Sequence, residues 1–296
     1  MAKYITPAVT PFLEDGKIDE KGAAALYEFL VKGGVDGILV FGSIGEFFAV
    51  STEEKKKLIS LAIRQINGRI PVIIGTADMI LENVISLSNW SLKEGADAVI
   101  VVSPYYFKLT PDQIEEYYDR LAREIHGPLY IYNFPDRTGY TIPADVVKTL
   151  ALRHKNIVGI KDTIPGMDHT RELIQAVKPV RPDFEIYSGF DENFAHNVLA
   201  GGDGCIAGLS NFAPSLCHQL AKAANEENWE EAARCSQTLN SLMDVYAVGN
   251  PFIPFIKKAV ELAGVPIADI PSFPFPRPTQ EQTEKLLQIL KQNSIL

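Results

Sequence analysis

Residues 156–163 read NIVGIKDT, and the lysine stands where its neighbours call for a core strand. Ile157, Val158, Gly159 and Ile160 suit a strand buried on both faces, and Lys161 follows without a break. Burying an ammonium group is costly unless something compensates for the lost water. A lysine partly withdrawn from water is more easily deprotonated, and the neutral amine is the form that attacks a carbonyl to give a Schiff base. The plainer reading is a stem that packs while its head reaches solvent.

Other apolar runs also end in reactive side chains. In LYIYNFPDRTG, residues 129–139, Tyr130 and Tyr132 share a strand face, with Tyr132 nearer the end. A tyrosine there can carry a proton between a substrate oxygen and water. It can equally be an aromatic filler. Arg137, in the following loop, can grip a carboxylate through two parallel bonds, or simply be solvated. In FGSIGEF, residues 41–47, Gly42, Ser43, Ile44 and Gly45 form a small-residue turn. Successive backbone N–H groups in such a turn make an anion cradle, and the Ser43 hydroxyl adds a donor. By itself that pattern is usually only a turn. SPYYFK, residues 103–108, puts Tyr105 and Tyr106 beyond a proline, either shielding a site or forming an interface. Two further runs end at Gly189 and Gly208, which leave room for a ligand or ease tight turns.

These endings need a scaffold that gathers them. Short β-branched runs at 4–10, 37–42, 71–76, 97–103, 128–133, 156–162, 184–189 and 203–208 predict eight strands. Helix-period stretches follow each, at 19–33, 52–66, 81–94, 111–125, 143–153, 168–178, 191–200 and 214–225. Continuous apolar strands alternating with helices mean parallel strands covered by helices. Ser51 with Glu54 reads as a capping box, Pro111 and Pro143 stand at helix starts, and 32–34, 93–95 and 200–202 read as glycine-capped helix ends. Eight such units predict a (β/α)8 TIM barrel over 1–225, whose site lies at the carboxyl ends of its strands. In that phase Lys161 points inward. Residues 226–296 predict only helices, a C-terminal extension packed on the barrel, with a proline-rich connector at 266–279. An open doubly wound sheet is the alternative, but no GxGxxG follows the first strand.

Composition narrows the function. A net charge of -9 argues against a nucleic-acid surface, and no Lys/Arg-rich block suggests a membrane patch. The start of the chain shows no signal peptide, and no apolar run is long enough to span a bilayer. Three cysteines without CxxC spacing fit a reducing compartment, and the cytoplasm is the expected location. The five histidines are scattered, so neither a metal nor a cofactor is expected. No GxSxG elbow or GxxxxGK[ST] loop is present.

Together GSIGE, SPYY, YNFPDRTG and GIKDT, in this order and spacing, resemble the dihydrodipicolinate synthase / N-acetylneuraminate lyase family of class I aldolases. The resemblance covers nearly the whole chain. GIKDT, PYYFK and GGDG followed by NFAP look most like the 2-keto-3-deoxy sugar-acid aldolases, such as 2-keto-3-deoxygluconate aldolase. It implies catalytic roles for Lys161, Tyr132, Ser43 and Tyr106. Lys161 forms the Schiff base with pyruvate or another 2-keto acid, and Tyr132 is the acid/base at the C–C bond. Ser43 and the Ile44 N–H hold the carboxylate. Tyr106 crosses a subunit interface to join a proton relay. Gly45, Arg137, Thr163, Gly189 and Ile206 complete the substrate-binding set. The implied partners are a keto acid and an aldehyde, and the implied assembly is a homotetramer, a dimer of dimers. Synthases of the family read GTTGE, so Ile44 replaces a threonine and weakens that reading. Arg137 pulls towards it, since synthases use such an arginine for the second substrate's carboxylate. Condensation of pyruvate with aspartate semialdehyde is therefore the second expectation. A keto-acid-binding protein without catalysis is the third.

Overall fold

Eight parallel strands follow one another in chain order round a closed barrel, in a computed structural model that describes all 296 residues. The strands are β1 (Lys3–Pro7), β2 (Gly37–Val40), β3 (Val72–Gly75), β4 (Ala98–Val102), β5 (Leu129–Asn133), β6 (Ile157–Asp162), β7 (Glu185–Ser188) and β8 (Gly204–Ile206). Each falls within or beside an expected run. Between them run α1 (Glu20–Gly33), α2 (Thr52–Ile66), α3 (Leu81–Glu94), α4 (Pro111–Glu124), a short α5 (Pro135–Thr138), α6 (Ala144–Arg153), α7 (Asp168–Val177) and α8 (Phe194–Leu199). Then α9 (Pro214–Asn225), α10 (Trp229–Leu242), α11 (Ile253–Leu262) and α12 (Gln280–Gln292) complete the chain.

Two compact units make up the chain, one of Met1–Ala2 with Ile73–Ile206, the other of Lys3–Val72 with Ala207–Leu296. The first holds β4 to β8 and β3 from Ile73 onwards. There β4 and β5 are buried along their whole length, as strands faced on both sides by protein must be. The second holds β1 and β2 with the helices from α9 onwards. The side chain of Asn211 ties it together, donating to Pro7 O and accepting from Val9 N.

Helix ends follow local chemistry. Thr110 and Gln113 make a reciprocal capping box on α4. Ser51 caps Glu54 N, but Glu54 pairs with Lys57 instead of completing the box. Gly34 and Gly95 take the left-handed conformation that closes α1 and α3. Two expectations change. The helix expected over 191–200 begins as a single 3-10 turn, Asp191–Asn193, before α8. Within the extension expected to be helical over 226–296, α10 stops at Leu242 and the chain continues as a tighter turn, Met243–Ala247.

Candidate active site

Lys161, in β6, is only 4% exposed. Its Nζ donates to Tyr132 Oη at 3.2 Å and lies 4.5 Å from the centre of that ring. Tyr132 and Lys161 are register partners on β5 and β6, so strand pleating turns both side chains to one face. The partner of the amine is thus a phenol and not a carboxylate. Tyr130 shares the face one step earlier, but its hydroxyl is committed to Glu185. Tyr132, not Tyr130, is the phenol beside the amine.

The residue after the lysine explains how it is held. Asp162 points the opposite way and is fully buried. Its carboxylate accepts from Asn133 Nδ2 at 2.7 Å, Thr170 Oγ1 at 2.7 Å and His169 Nδ1 at 3.0 Å. Asn133 Oδ1 in turn accepts from Ile142 N at 3.0 Å. The ends of β5 and β6 and the first turn of α7 are therefore locked together behind Lys161. His169 Nε2 faces Ile142 O at 2.9 Å, so both ring nitrogens meet oxygen acceptors, and the protonated ring is the form that satisfies both. Burial pushes the imidazole pKa down, yet the Asp162 carboxylate and the Ile142 carbonyl outweigh it, and the net shift is upward. A raised histidine pKa stabilises most below about pH 6.5, its unfolded value, and that contribution fades as pH rises through the folded pKa. The stability advantage over His169→Gln should therefore be largest in mild acid and shrink towards alkaline pH. Urea unfolding of both proteins across that range measures it.

Around the amine, Thr163 and Gly189 fit together tightly. A Cβ on Gly189 would sit 2.0 Å from Thr163 Oγ1, so any larger residue displaces that hydroxyl. Thr163 is buried, and its hydroxyl has no hydrogen-bond partner within the protein. Such a group is expensive to leave unsatisfied unless a ligand or water meets it. Ile206, the last residue of β8, is fully buried. Phe134 stacks on the Tyr132 ring at 5.8 Å and 19°, and the Arg137 guanidinium lies 5.1 Å from the Phe134 ring. Arg137 is exposed and forms no ion pair, so its charge is open to a ligand. Tyr106 does not join this group. It is 80% exposed and packs edge-on against Phe107, which is 75% exposed.

Ser43, Ile44 and Gly45 belong to the other unit, in a turn beyond β2. The turn is entered by Phe41 at φ 60° and left by Glu46 at φ 55°. Left-handed backbone at such side chains costs on the order of 1–3 kcal/mol each and persists only where the surroundings enforce it. Gly45 N and Glu46 N bond back to Gly42 O and Ser43 O, at 3.0 and 3.1 Å. Thr10 Oγ1 donates to Gly45 O at 2.6 Å. The Ile44 N–H donates to no protein acceptor, as an anion cradle requires. Glu46, fully buried, anchors the turn: it pairs with Lys257, also fully buried, and accepts from Ser272 N at 2.7 Å. Lys257 further donates to Ile270 O at 2.8 Å and lies 4.2 Å from the Phe12 ring centre. Burial pushes the Lys257 pKa down to about 8, against the pull of Glu46. Lys257→Met should destabilise by about 3–5 kcal/mol, because it strands a buried carboxylate. Adding Glu46→Gln should recover part of that loss in denaturant titrations.

Strand-end reasoning could not reach Asp162's partners, Phe134 or the Glu46–Lys257 pair. A lysine within the apolar run FIKKAV was the one local sign of the last. Nowhere do three His, Cys, Asp or Glu side chains gather as a metal ion would need.

The model of the dihydrodipicolinate synthetase family matches residues 1–293. The chain belongs to this family. Among its relatives is YagE of Escherichia coli, described as a putative 2-dehydro-3-deoxy-D-gluconate aldolase, 38% identical over 97% of this chain and 96% of YagE. YjhH of the same organism, a probable 2-dehydro-3-deoxy-D-pentonate aldolase, is 35% identical over 99% of this chain and 97% of YjhH. The crystal structure of YagE in complex with pyruvate superposes with a TM-score of 0.96, at 36% identity and 99% coverage of both chains. As a family member this protein is an aldolase-type carbon–carbon lyase, and the buried lysine on β6 suits the Schiff-base chemistry of that class.

Proposed function

We propose that this dihydrodipicolinate synthetase family member cleaves or forms a 2-keto-3-deoxy sugar acid, with pyruvate and an aldehyde on the other side of the reaction. The observation that carries the reading is the buried Lys161 amine 3.2 Å from the Tyr132 hydroxyl, a phenol and not a carboxylate. The names borne by YagE and YjhH support the substrate class.

Lys161 Nζ attacks C2 of the keto acid, and water leaves to give an iminium. Tyr132 takes the proton from the C4 hydroxyl. The C3–C4 bond breaks, the aldehyde departs, and the electron pair moves into the iminium as an enamine. Protonation at C3 and hydrolysis release pyruvate and restore the amine. The iminium supplies the positive charge that stabilises the carbanion. Thr163, Gly189 and Ile206 line the pocket on the Lys161 side, and the partnerless Thr163 hydroxyl fits a substrate hydroxyl.

Arg137 favours a second reading. An exposed guanidinium stacked on the Tyr132–Phe134 pair suits a second substrate's carboxylate, as in condensation with aspartate semialdehyde. A panel of 2-keto-3-deoxy acids in a pyruvate-release assay, run beside pyruvate with aspartate semialdehyde, separates the two. Faster turnover of the semialdehyde overturns the first reading. Pyruvate binding without turnover of any panel member overturns both.

The assembly we propose is a cytoplasmic homotetramer, a dimer of dimers. The exposed Tyr106–Phe107 pair suits an interface, with Tyr106 serving a neighbouring protomer. No helix is long and apolar enough to cross a membrane, and the three cysteines form no disulfide.

A further inference from the structure

The segment beyond β5 cannot hold its shape alone. Within it α5 is a single turn, Pro135–Thr138, opened by a proline and closed by Gly139 at φ 78°. Isolated helices shorter than about 12 residues are marginal in water, so so short a helix takes its position from its surroundings. Thr138 Oγ1 donates to Tyr140 O at 2.8 Å and Gly139 N to Pro135 O at 2.7 Å, but these bonds stay within the segment. Tyr140 reaches out of it. Its half-buried phenol donates to Pro104 O and lies 3.0 Å from Ser103 Oγ, and Ser103 is fully buried just beyond β4. A Cβ on Gly139 would lie 3.4 Å from Lys108 Cε, so the loop beyond β4 also passes against the backbone here. Further on, Ile142 is held between Asn133 and His169.

What α5 carries explains why its position matters. Phe134, at its N-cap, stacks on Tyr132, and the Arg137 guanidinium lies against the Phe134 ring. In the proposed mechanism Tyr132 handles the C4 oxygen, which becomes the aldehyde carbonyl. α5 therefore flanks the aldehyde half of the substrate and not the carbon bonded to Lys161. We infer that Tyr140 is a positioning residue: it pegs α5 to the loop beyond β4 and so fixes the wall against which the aldehyde binds. The inference rests on the aldolase reading above, whichever aldehyde the protein prefers.

The test is a pair of titrations on Tyr140→Phe, which keeps the ring and removes the hydroxyl. In the first, pyruvate is saturating and its consumption is followed against glyceraldehyde and against aspartate semialdehyde. The KM for the aldehyde that turns over faster should rise about ten-fold, the loss expected when a bond goes and its buried partners stay unpaired. In the second, borohydride traps pyruvate on Lys161, and the half-saturating pyruvate concentration should move by no more than about two-fold, as for an independent site. Ser103→Ala keeps the bond to Pro104 and should raise the same aldehyde KM by about three-fold. A purely structural role would weaken pyruvate and aldehyde alike, and that result overturns the inference. So does an unchanged aldehyde KM in Tyr140→Phe. Should Tyr140→Phe fail to fold, Ser103→Ala decides alone, and an unchanged aldehyde KM there overturns the inference. Absence of trapping in the unaltered protein overturns the aldolase reading, and this inference falls with it.

Discussion

Replacing Lys161 with alanine is expected to lower turnover by at least about four orders of magnitude and to abolish borohydride trapping of pyruvate. No neighbour can take its place. Its register partner on β5 is a phenol, and the adjacent Asp162 is turned away and saturated by three side chains. The same substitution should leave the fold standing. It deletes a buried amine whose hydrogen bond is made to a hydroxyl, so no charged partner is stranded. Thermal unfolding should therefore show Lys161→Ala melting at or above the temperature of the unaltered protein, the usual trade at a catalytic group. A variant that melts far lower would mean that Lys161 is a structural lysine. Retained trapping in Lys161→Ala would put the imine elsewhere.

Tyr132→Phe should separate proton transfer from imine formation. It keeps the ring that stacks on Phe134 and removes only the hydroxyl beside the amine. General acid–base catalysis by one placed group is worth roughly 10²- to 10⁴-fold, so kcat should fall within that range. Trapping of pyruvate on Lys161 should persist, because the nucleophile remains. Mass spectrometry of the borohydride-treated variant, beside its steady-state rate, checks both halves. Tyr130→Phe is the control: its hydroxyl is spent on Glu185, and its rate should change far less.

The sequence carried the barrel because every βα unit announces itself locally. β5 and β6 are short and apolar, and α4 opens on Thr110–Pro111 with its reciprocal Gln113. The pairing of Lys161 with Tyr132 was legible for the same reason: both close consecutive strands, in the phase that faces inward. What stayed hidden depends on contacts that no local pattern encodes. Glu46 finds Lys257, and Tyr246 finds Gly208, only after the chain has gone round the barrel. The left-handed backbone at Phe41 and Glu46 has no compositional mark either, since neither residue is glycine or asparagine. His169 and Asn133 read as ordinary polar residues until Asp162 draws both onto one carboxylate.

The anchor of the turn at 43–45 also sets a timetable. Glu46 is made 226 residues before Ser272, whose backbone N–H holds it, and the Lys257 ammonium also lies far downstream. Until both have been made, the left-handed backbone at Phe41 and Glu46 has no brace, so the turn sets late in synthesis.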